Sequence, residues 1–401
     1  MSKVKKASET SNKPFDFILF ITVLLMLSLG IVMVLSASSP SALAETGDSY
    51  SYVKTQLVSA ILGIILMLII SKIDYHFYRK FYKIAYWGSI ALLLAVAIPG
   101  VGYTANGATR WINLGFTTIQ PSEIVKIALI IFFATYLSNH KDELKGLWSG
   151  FFKPFLVLAP IILVLILVQD HLSASLVIIL IVSIMMIIAG TKIKHFLTFG
   201  VAGAGIGAIG LVLMAKFTEK GAFRLARLTS FLDPWKYAQD EGWQIIQSLY
   251  AIGSGGIFGV GLGQSKQKYL YIPEPHNDFI FAVLAEELGF VGCAVVILLF
   301  AIFIWRGILV AMKAPDMYGS LVAIGITSLV GIQAIINIAV VTSSIPNTGM
   351  PLPFFSYGGT ALLILLCAMR SFIKYFKKCK KSLIRLQLCN LIVKWKKGGR
   401  Q

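Results

Sequence analysis

Four acidic residues surround one apolar run in the stretch PEPHNDFIFAVLAEELG, residues 273–289. They are Glu274, Asp278, Glu286 and Glu287. A carboxylate in hydrocarbon is costly, so in a membrane protein it usually marks a functional position or a buried pair. Asp278 stands where the apolar run begins, and partial loss of water there makes a carboxylate a stronger proton acceptor. The position therefore predicts that Asp278 is a catalytic base.

The other three acids have different expected roles. Glu286 and Glu287 follow Asp278 at a spacing that places them about 12–14 Å deeper along a helix. That depth favours pairing inside a helix bundle over chemistry at the membrane surface. Glu274 precedes the apolar run and is interpreted as a solvated loop residue.

Basic residues that could hold an anionic substrate lie in two predicted outer loops. They are Arg110 in NGATRWINLG, Arg224 and Arg227 in FRLARL, and Lys268 in QSKQKYL. The planar fork of arginine matches phosphate oxygens, and a basic, aromatic surface over a membrane suits a pyrophosphate-linked lipid headgroup. The alternative is a basic loop that only rests on lipid headgroups.

A further charged pair lies in QPSEIVK, residues 120–126. Pro121 suits the first turn of a helix, so Glu123 and Lys126 fall three residues apart on one helical face. Two interpretations stay open. The pair either fixes helix packing as a buried structural ion pair, or shares Lys126 with an anionic headgroup.

Three polar or glycine-rich stretches are less specific. In QDHLS, Asp170 and His171 are interpreted as solvated interfacial residues rather than as a relay or metal site. GSGGIFGVGLG lacks the lysine and strand context of a P-loop and predicts a tight turn packed within protein. In PNTGMPLPFFSYGGT, the Gly358–Gly359 helix start either offers backbone N–H groups to an anion or serves packing.

The composition requires a membrane. Of 401 residues, 57% are hydrophobic and 13% charged, which is too apolar for a soluble domain. Ten runs are able to span a bilayer of ~30 Å, and we predict an all-α polytopic membrane protein. The runs are 17–37, 55–71, 82–99, 122–138, 154–168, 172–190, 196–215, 278–304, 318–342 and 358–376. The fifth and sixth runs could also form one broken helix.

Charge distribution predicts the orientation. The N-terminal tail and the loops after spans two, four, six and eight are rich in Lys and Arg, so both termini are expected in the cytoplasm. We expect a basic tail at 1–16, one transmembrane domain at 17–376 with an extracytoplasmic loop at 216–277, and a second tail at 377–401. Residues 370–401 carry eleven Lys or Arg and no acid, which favours anionic lipid over nucleic acid.

The four cysteines give no sign of a disulfide framework or a metal site. Cys293 and Cys367 fall in apolar runs, and Cys379 and Cys389 fall in the basic tail, without ligand-like spacing. We therefore predict no metal-ligating cysteines.

Several of these stretches together resemble the SEDS family (shape, elongation, division and sporulation). The resemblance covers nearly the whole chain and rests on NGATRWINLG…QPSEIVK, FRLARLTSFLDPW, the long block WQIIQSLYAIGSGGIFGVGLGQSKQKYLYIPEPHNDFIFAVLAEELG, and PNTGMPLPFFSYGGT. The sequences of the last two stretches resemble the FtsW/SpoVE branch more than RodA.

The resemblance implies a peptidoglycan glycosyltransferase that polymerises lipid II at the outer face of the bacterial cytoplasmic membrane. It implies a class B penicillin-binding protein as partner, together with divisome or sporulation membrane proteins. The family's essential aspartate matches Asp278, its charged pair matches Glu123 and Lys126, and its loop arginines match Arg224 and Arg227. In QDHLS the chain departs from the family, because His171 stands where many relatives have an acid.

Two other functions compete with polymerisation. A transporter that flips lipid II would also have ten spans and intramembrane charges, but polar residues here concentrate in outer loops rather than along a midplane path. A scaffold that only recruits a synthase would not need the arginine and aspartate constellation. A divalent cation, Mg²⁺ or Mn²⁺, is compatible with pyrophosphate chemistry, although the sequence offers no closed ligand set for one.

Overall fold

The computed structural model describes residues 16–105, 107–115, 117–218, 229–239, 242–269 and 271–373. Its longer helices correspond one to one with the predicted apolar runs, apart from α9 in the large loop. The helices are α1 (Phe17–Thr46), α2 (Ser51–Ile70), the single turn α3 (His76–Arg79), α4 (Tyr82–Ala95), α5 (Pro121–Asn139), α6 (Lys153–Leu167) with a preceding π-helical turn (Trp148–Phe152), α7 (Leu172–Ala189), α8 (Ile193–Phe217), a 3₁₀ turn (Pro234–Tyr237), α9 (Trp243–Gly255), α10 (Ile280–Met312), α11 (Met317–Val341) and α12 (Gly359–Ile373).

The predicted class, a polytopic helical membrane protein, is confirmed. Among the described residues, seven helices are long and apolar enough to cross a membrane: α1, α2, α5, the π-turn with α6, α7, α10 and α11. Helices α4 and α12 are apolar but shorter. The count of ten spans therefore stays a prediction. Residues 168–171 interrupt the backbone between α6 and α7, where Asp170 has a φ of 50°, so these are two helices rather than one.

Helix boundaries follow from local chemistry. The carboxylate of Asp16 accepts a hydrogen bond from the Leu19 N–H and begins α1, and Asp316 does the same for α11 through the Gly319 N–H. Pro121 occupies the first turn of α5, as its missing N–H predicts. Gly190, at a φ of 119°, ends α7 in the left-handed conformation.

A small antiparallel sheet, absent from the predictions, lies between α4 and α5. It is formed by β1 (Gly102–Ala105), β2 (Ala108–Asn113) and β3 (Thr118–Ile119), in the order β1–β2–β3. Ala105 pairs with Ala108 at the end of the first hairpin. The hydroxyl of Thr360 at the start of α12 donates to the Thr118 carbonyl at 3.1 Å and ties the sheet to the bundle.

Helix α11 lies at the centre of the bundle, because it packs against α5, α7 and α10. Helix α12 packs mainly on α2, and α1 packs on α10 and α2. The loop that joins α11 to α12, residues 342–358, therefore returns across the ends of these central helices. This loop contacts the segment that precedes α10, where Asp278 lies.

The glycine-rich segment after α9 folds back against α10. Gly289 breaks α10 with a φ of 65°, and the N–H groups of Val260 and Gly261 donate to the carbonyls of Glu286 and Glu287 at 2.9 and 3.1 Å. A Cβ on Gly259 would lie 2.1 Å from the Glu287 carbonyl oxygen, so only glycine fits there. The segment is thus packed within protein, as irregular backbone at membrane depth requires.

Lys268 occupies a different environment from the one predicted. Its ammonium is buried and donates to the Glu287 carboxylate at 3.0 Å, the Ser36 hydroxyl at 3.1 Å and the Gly263 carbonyl at 2.7 Å. These three acceptors use its three N–H donors. Lys268 is thus the buried counter-charge of Glu287 and fastens the loop to α10 and α1, and its predicted contact with substrate stays a prediction.

The deeper acids behave as expected for buried partners. Glu287 accepts from Lys268 and from the Ser36 hydroxyl at 2.6 Å. Glu286 accepts from the Lys266 N–H at 2.9 Å and from the Ser265 hydroxyl at 2.5 Å. Both carboxylates are fully occupied in holding the returning segment, away from the surface chemistry.

Candidate functional site

Asp278 lies half-buried two residues before the start of α10, at the end of the large loop. Its carboxylate faces the loop between α11 and α12. A Cβ built on Gly349 would lie 3.3 Å from its Oδ2 oxygen, and Gly349 has a φ of 61°. The backbone of that loop thus comes within van der Waals reach of the carboxylate, a close approach that glycine permits.

The loop that approaches Asp278 is itself fixed to the segment before it. The Ser356 hydroxyl donates to the Asn277 carbonyl at 2.7 Å, and the Tyr357 N–H donates to the His276 carbonyl at 2.9 Å. The predicted alternative of a packing role for SYGG is therefore what these contacts support. The Gly358 N–H is bonded to the Gln56 side chain at 3.2 Å, so it is already satisfied within the protein.

His276 is buried beside an aromatic pair. Its ring centroid lies 4.8 Å from that of Tyr52 and 5.7 Å from that of Tyr357. Burial lowers the pKa of His276, while the carboxylates of Glu274 and Glu45 act in the opposite direction. Two residues before Asp278, the chain thus presents a buried imidazole that packs against two tyrosine rings.

Glu123 and Lys126 form the ion pair that their spacing suggested. The Lys126 ammonium lies 2.7 Å from Oε1 of Glu123, and Lys126 is only 1% exposed although it lies in the first turns of α5. A lysine this deeply buried requires its partner, because an unpaired ammonium in the bundle would be very costly. Both readings of the pair, structural support and a headgroup contact, fit this geometry.

Arg110 lies on β2 and reaches the turn between α6 and α7. Its Nε donates to the Gln169 carbonyl at 3.2 Å and its Nη2 to the Asp170 carbonyl at 2.5 Å. The side chain is partly buried, because it packs against this turn. Its positive charge is nevertheless fixed at the rim of the bundle.

The prediction that Asp170 and His171 are solvated is wrong for His171. The imidazole is only 6% exposed. Burial, together with the nearby positive charges of Arg110 and Lys126, lowers the pKa of His171 to about 3. The ring is therefore neutral at physiological pH and adds no positive charge to that of Arg110 and Lys126.

A hydrogen bond joins the start of α7, just after this turn, to the loop that approaches the aspartate. The hydroxyl of Ser173 donates to the carbonyl of Thr348, and Thr348 immediately precedes the Gly349 that packs against Asp278. The turn that carries His171 and Arg110's acceptors is thus linked to the catalytic candidate through two consecutive residues. Ser173 was not among the predicted site residues, since a serine at the start of an apolar helix carries no signal of its own.

Several buried polar atoms around this region have no protein partner within the described part of the chain. They are Oγ of Ser122, Oε1 of Gln169, Nδ1 of His171, Nδ1 of His276 and Oγ1 of Thr348. Buried polar atoms are nearly always hydrogen-bonded. Such atoms are able to accept a hydrogen bond from a polar ligand or water, or to donate one to it.

Two expected contributions cannot be placed. Arg224 and Arg227 lie outside the described residues. For a metal, no group of three or more His, Cys, Asp or Glu side chains in the described ranges is arranged to hold an ion. A divalent cation therefore stays a prediction.

Comparison with known proteins places this geometry in context. A family model described as a cell cycle protein, which covers FtsW, RodA and SpoVE, matches residues 16–376. The chain belongs to this family. This membership confirms the resemblance found in the sequence. Two curated relatives within the family are a SpoVE protein and an FtsW protein.

The curated relatives match over most of their length. Stage V sporulation protein E of Bacillus subtilis is 45% identical over 354 residues, which cover 88% of this chain and 94% of that protein. A probable peptidoglycan glycosyltransferase FtsW of Geobacter sp. is 41% identical over 355 residues, covering 88% and 95%.

Solved structures of the family have the same fold. A chain of a peptidoglycan synthase complex, described as coordinating polymerization and crosslinking, superposes with a TM-score of 0.71 at 26% identity, covering 90% of this chain and 96% of that one. The rod shape determining protein RodA of Thermus thermophilus gives a TM-score of 0.64 at 26% identity, covering 90% and 98%.

Proposed function

We propose that this FtsW/RodA/SpoVE-family chain is a peptidoglycan glycosyltransferase that joins lipid II disaccharides into glycan strands at the outer face of the cytoplasmic membrane. Relatives named as probable peptidoglycan glycosyltransferases support the activity. The observation that carries the proposal is the contact path from Asp278 through Gly349 and Thr348 to Ser173. This path links a half-buried carboxylate to the start of α7, next to the α6–α7 turn that Arg110 contacts.

In the proposed reaction, the 4-hydroxyl of the acceptor sugar attacks the anomeric carbon of the donor sugar. Asp278 takes the hydroxyl proton, the new bond from carbon to O4 forms with inversion, and the bond from that carbon to the pyrophosphate oxygen breaks. The lipid pyrophosphate leaves with the bonding electron pair. General-base assistance of this kind is typically worth ~10²–10⁴-fold in rate.

The departing pyrophosphate needs positive charge that is already in place. Lys126 and Arg110 supply it on the side of the α6–α7 turn, and we assign Arg224 and Arg227 to the same task on the basis of the family resemblance. His171 is neutral, and the N–H of its ring can donate a hydrogen bond to an anion. Preorganised charges of this kind stabilise developing negative charge in a site from which water is excluded.

The proposed setting follows from the family. A structural neighbour comes from a complex that couples polymerization to crosslinking, so we assign a class B penicillin-binding protein as the crosslinking partner, with divisome or sporulation membrane proteins around it. Both termini are assigned to the cytoplasm, which places Asp278 at the outer face.

The test is polymerisation of labelled lipid II by the purified full-length chain, alone and with its candidate class B penicillin-binding protein, with and without EDTA. We expect glycan strands longer than one disaccharide, resolved by electrophoresis. A requirement for Mg²⁺ or Mn²⁺ would appear as loss with EDTA and recovery on re-addition. Absence of polymer in every arm, from folded protein with its partner, contradicts the proposal.

A parallel vesicle measurement separates polymerisation from transport. If the chain instead flips lipid II, reconstituted vesicles should move labelled lipid II between leaflets at a rate that survives Asp278→Asn, without forming polymer. If it only recruits a synthase, polymer should appear solely with an active partner glycosyltransferase and be insensitive to Asp278→Asn. The proposed function predicts neither result.

A further inference from the structure

Asn337 is a polar residue in the middle of an apolar stretch of α11, IINIAVV, where it is only 1% exposed. Its side-chain Nδ2 donates to the carbonyl of Asp278 and to the carbonyl of Met350, both at 2.7 Å. One amide group therefore holds two chain segments that lie 59 and 13 residues away from it in sequence.

The orientation of this amide follows from its partners. Both partners are carbonyl oxygens, which only accept, so the NH₂ group faces them and both of its N–H bonds are used. The Oδ1 oxygen of Asn337 is then left buried without a hydrogen-bond partner among the described residues. A buried orphan acceptor is unfavourable, so stabilising α11 alone does not explain why an asparagine stands here.

The two carbonyls that Asn337 holds are the ones that define where the Asp278 carboxylate can lie. One belongs to Asp278 itself. The other belongs to Met350, which follows Gly349, the residue that comes within 3.3 Å of Asp278 Oδ2 when a Cβ is added. The amide thus fixes both the residue that carries the carboxylate and the backbone against which that carboxylate rests.

The neighbouring carbonyls are held from the same direction. Tyr357 donates its N–H to the His276 carbonyl at 2.9 Å, and Ser356 donates its hydroxyl to the Asn277 carbonyl at 2.7 Å. With Asn337, three consecutive carbonyls from residue 276 to residue 278 each accept a bond from α11 or from the α11–α12 loop. Of these donors, Asn337 alone reaches both sides of the carboxylate.

We propose that Asn337 is a positioning residue, which acts through Asp278 and sets the distance of its carboxylate from the reacting hydroxyl. The proposal rests on the function proposed above. Misplacing a catalytic group by ~1 Å can cost on the order of 10²-fold in rate. Substrate binding depends on other residues, so loss of the amide is expected to lower kcat far more than it changes KM.

The experiment compares Asn337→Leu with Gln333→Leu in the full-length chain with its partner. Leucine branches at the same carbon as asparagine but has no donor, and Gln333 is a buried polar residue one turn earlier on α11. We expect Asn337→Leu to lower kcat for lipid II polymerisation by ~10–10²-fold, with KM within about threefold. Gln333→Leu should keep both constants near those of the wild type.

A second readout does not depend on activity. Hydrogen–deuterium exchange should become faster at the backbone amides of residues 277–280 in Asn337→Leu, and should stay at the wild-type rate there in Gln333→Leu. If Asn337→Leu cannot be isolated folded, Asn337→Ser, which also removes the two-donor amide, should give the same loss of kcat and the same faster exchange.

The outcomes separate the two proposals. If the wild type makes no polymer while Asn337→Leu makes exchange at 277–280 faster, the proposed function fails. The structural role of Asn337 in holding this segment is then still supported. If the wild type polymerises lipid II and either Asn337 variant keeps its kcat, or exchange at 277–280 is unchanged, the positioning role is overturned. An equal loss in Gln333→Leu also overturns it, because the effect would then belong to α11 in general.

Discussion

At the level of single residues, burial decides what each polar group in the site can do. His171 and Lys126 are both nearly inaccessible, but only Lys126 has an oppositely charged partner, Glu123, at 2.7 Å. The imidazole is held neutral by desolvation and by the cations beside it. The site consequently combines fixed positive charge with a neutral hydrogen-bonding ring.

The neutral state of His171 makes stability depend on pH. Its pKa is about 3 in the folded chain and ~6.5 when unfolded, so below pH 6.5 the unfolded state binds more protons and stability falls as the pH falls toward 3. At pH 5.0 this amounts to about 2 kcal/mol. We expect His171→Asn to reduce the drop in Tm between pH 7.5 and 5.0, as measured by thermal unfolding in detergent. An identical drop in both proteins would contradict the buried neutral imidazole.

Some of these residues were accessible from sequence and some were not. The position of Asp278 at the start of an apolar run, and the spacing of Glu123 and Lys126, were sufficient to single them out. Asn337 could have been found by the same rule, since a polar residue inside an apolar span is unusual. The burial of Lys268 could not be predicted, because its partners Ser36 and Glu287 lie 232 and 19 residues away.

At the level of elements, the segment from Gly255 to Lys268 shows how irregular backbone is kept inside a helix bundle. The break in α10 at Gly289 frees two carbonyls, and the segment satisfies them with its own N–H groups. Its glycines allow an approach that any side chain would block at Gly259. Hydropathy predicted a turn packed in protein but could not show that α10 would break to receive it.

A pair of glycine variants tests this fit. Gly259 and Gly263 both have positive φ, at 82° and 80°, but a Cβ meets the Glu287 carbonyl oxygen at 2.1 Å only at Gly259, while Gly263 has open space. Alanine would therefore strain the backbone at both positions but would clash only at Gly259. We expect Gly259→Ala to lower Tm clearly more than Gly263→Ala. Equal losses of Tm for the two variants would show that close packing of this segment on α10 is not what requires glycine.

The small sheet illustrates a signal that was present but not used. The dipeptide at 106–107 is Asn-Gly, the pair most typical of two-residue hairpin turns. The observed pairing of Ala105 with Ala108 fits such a turn. The flanking strands are too short for alternation to identify them, and a search dominated by apolar runs passes over them.

At the level of the whole molecule, the ten apolar runs predicted the helices well, and the arrangement of those helices could not be predicted. Hydropathy has no information on which helices touch. The contacts that matter join distant positions, such as Ser173 to Thr348, 175 residues apart. The central place of α11 and the path of the α11–α12 loop therefore emerge only from tertiary packing.

The predicted orientation has its own test. In a background with Cys293, Cys367, Cys379 and Cys389 replaced by Ser, single cysteines are introduced at two exposed positions, Leu114 between β2 and β3, and Lys80 after α3. The cell wall and any outer membrane are removed while the cytoplasmic membrane stays intact. A membrane-impermeant maleimide should then label Leu114→Cys and not Lys80→Cys. The reverse pattern would place the sheet, and Asp278 with it, at the cytoplasmic face.

The assignment of Asp278 as the general base is tested most directly by Asp278→Asn in the lipid II polymerisation assay, with the class B partner present and Glu274→Gln as the matched control. Glu274 is an acid of the same loop, four residues earlier, and is exposed. Removing the proton acceptor should lower kcat by ~10²–10⁴-fold with little change in KM. Glu274→Gln should polymerise at the wild-type rate. Glycan strands made by Asp278→Asn at the wild-type rate would contradict the account.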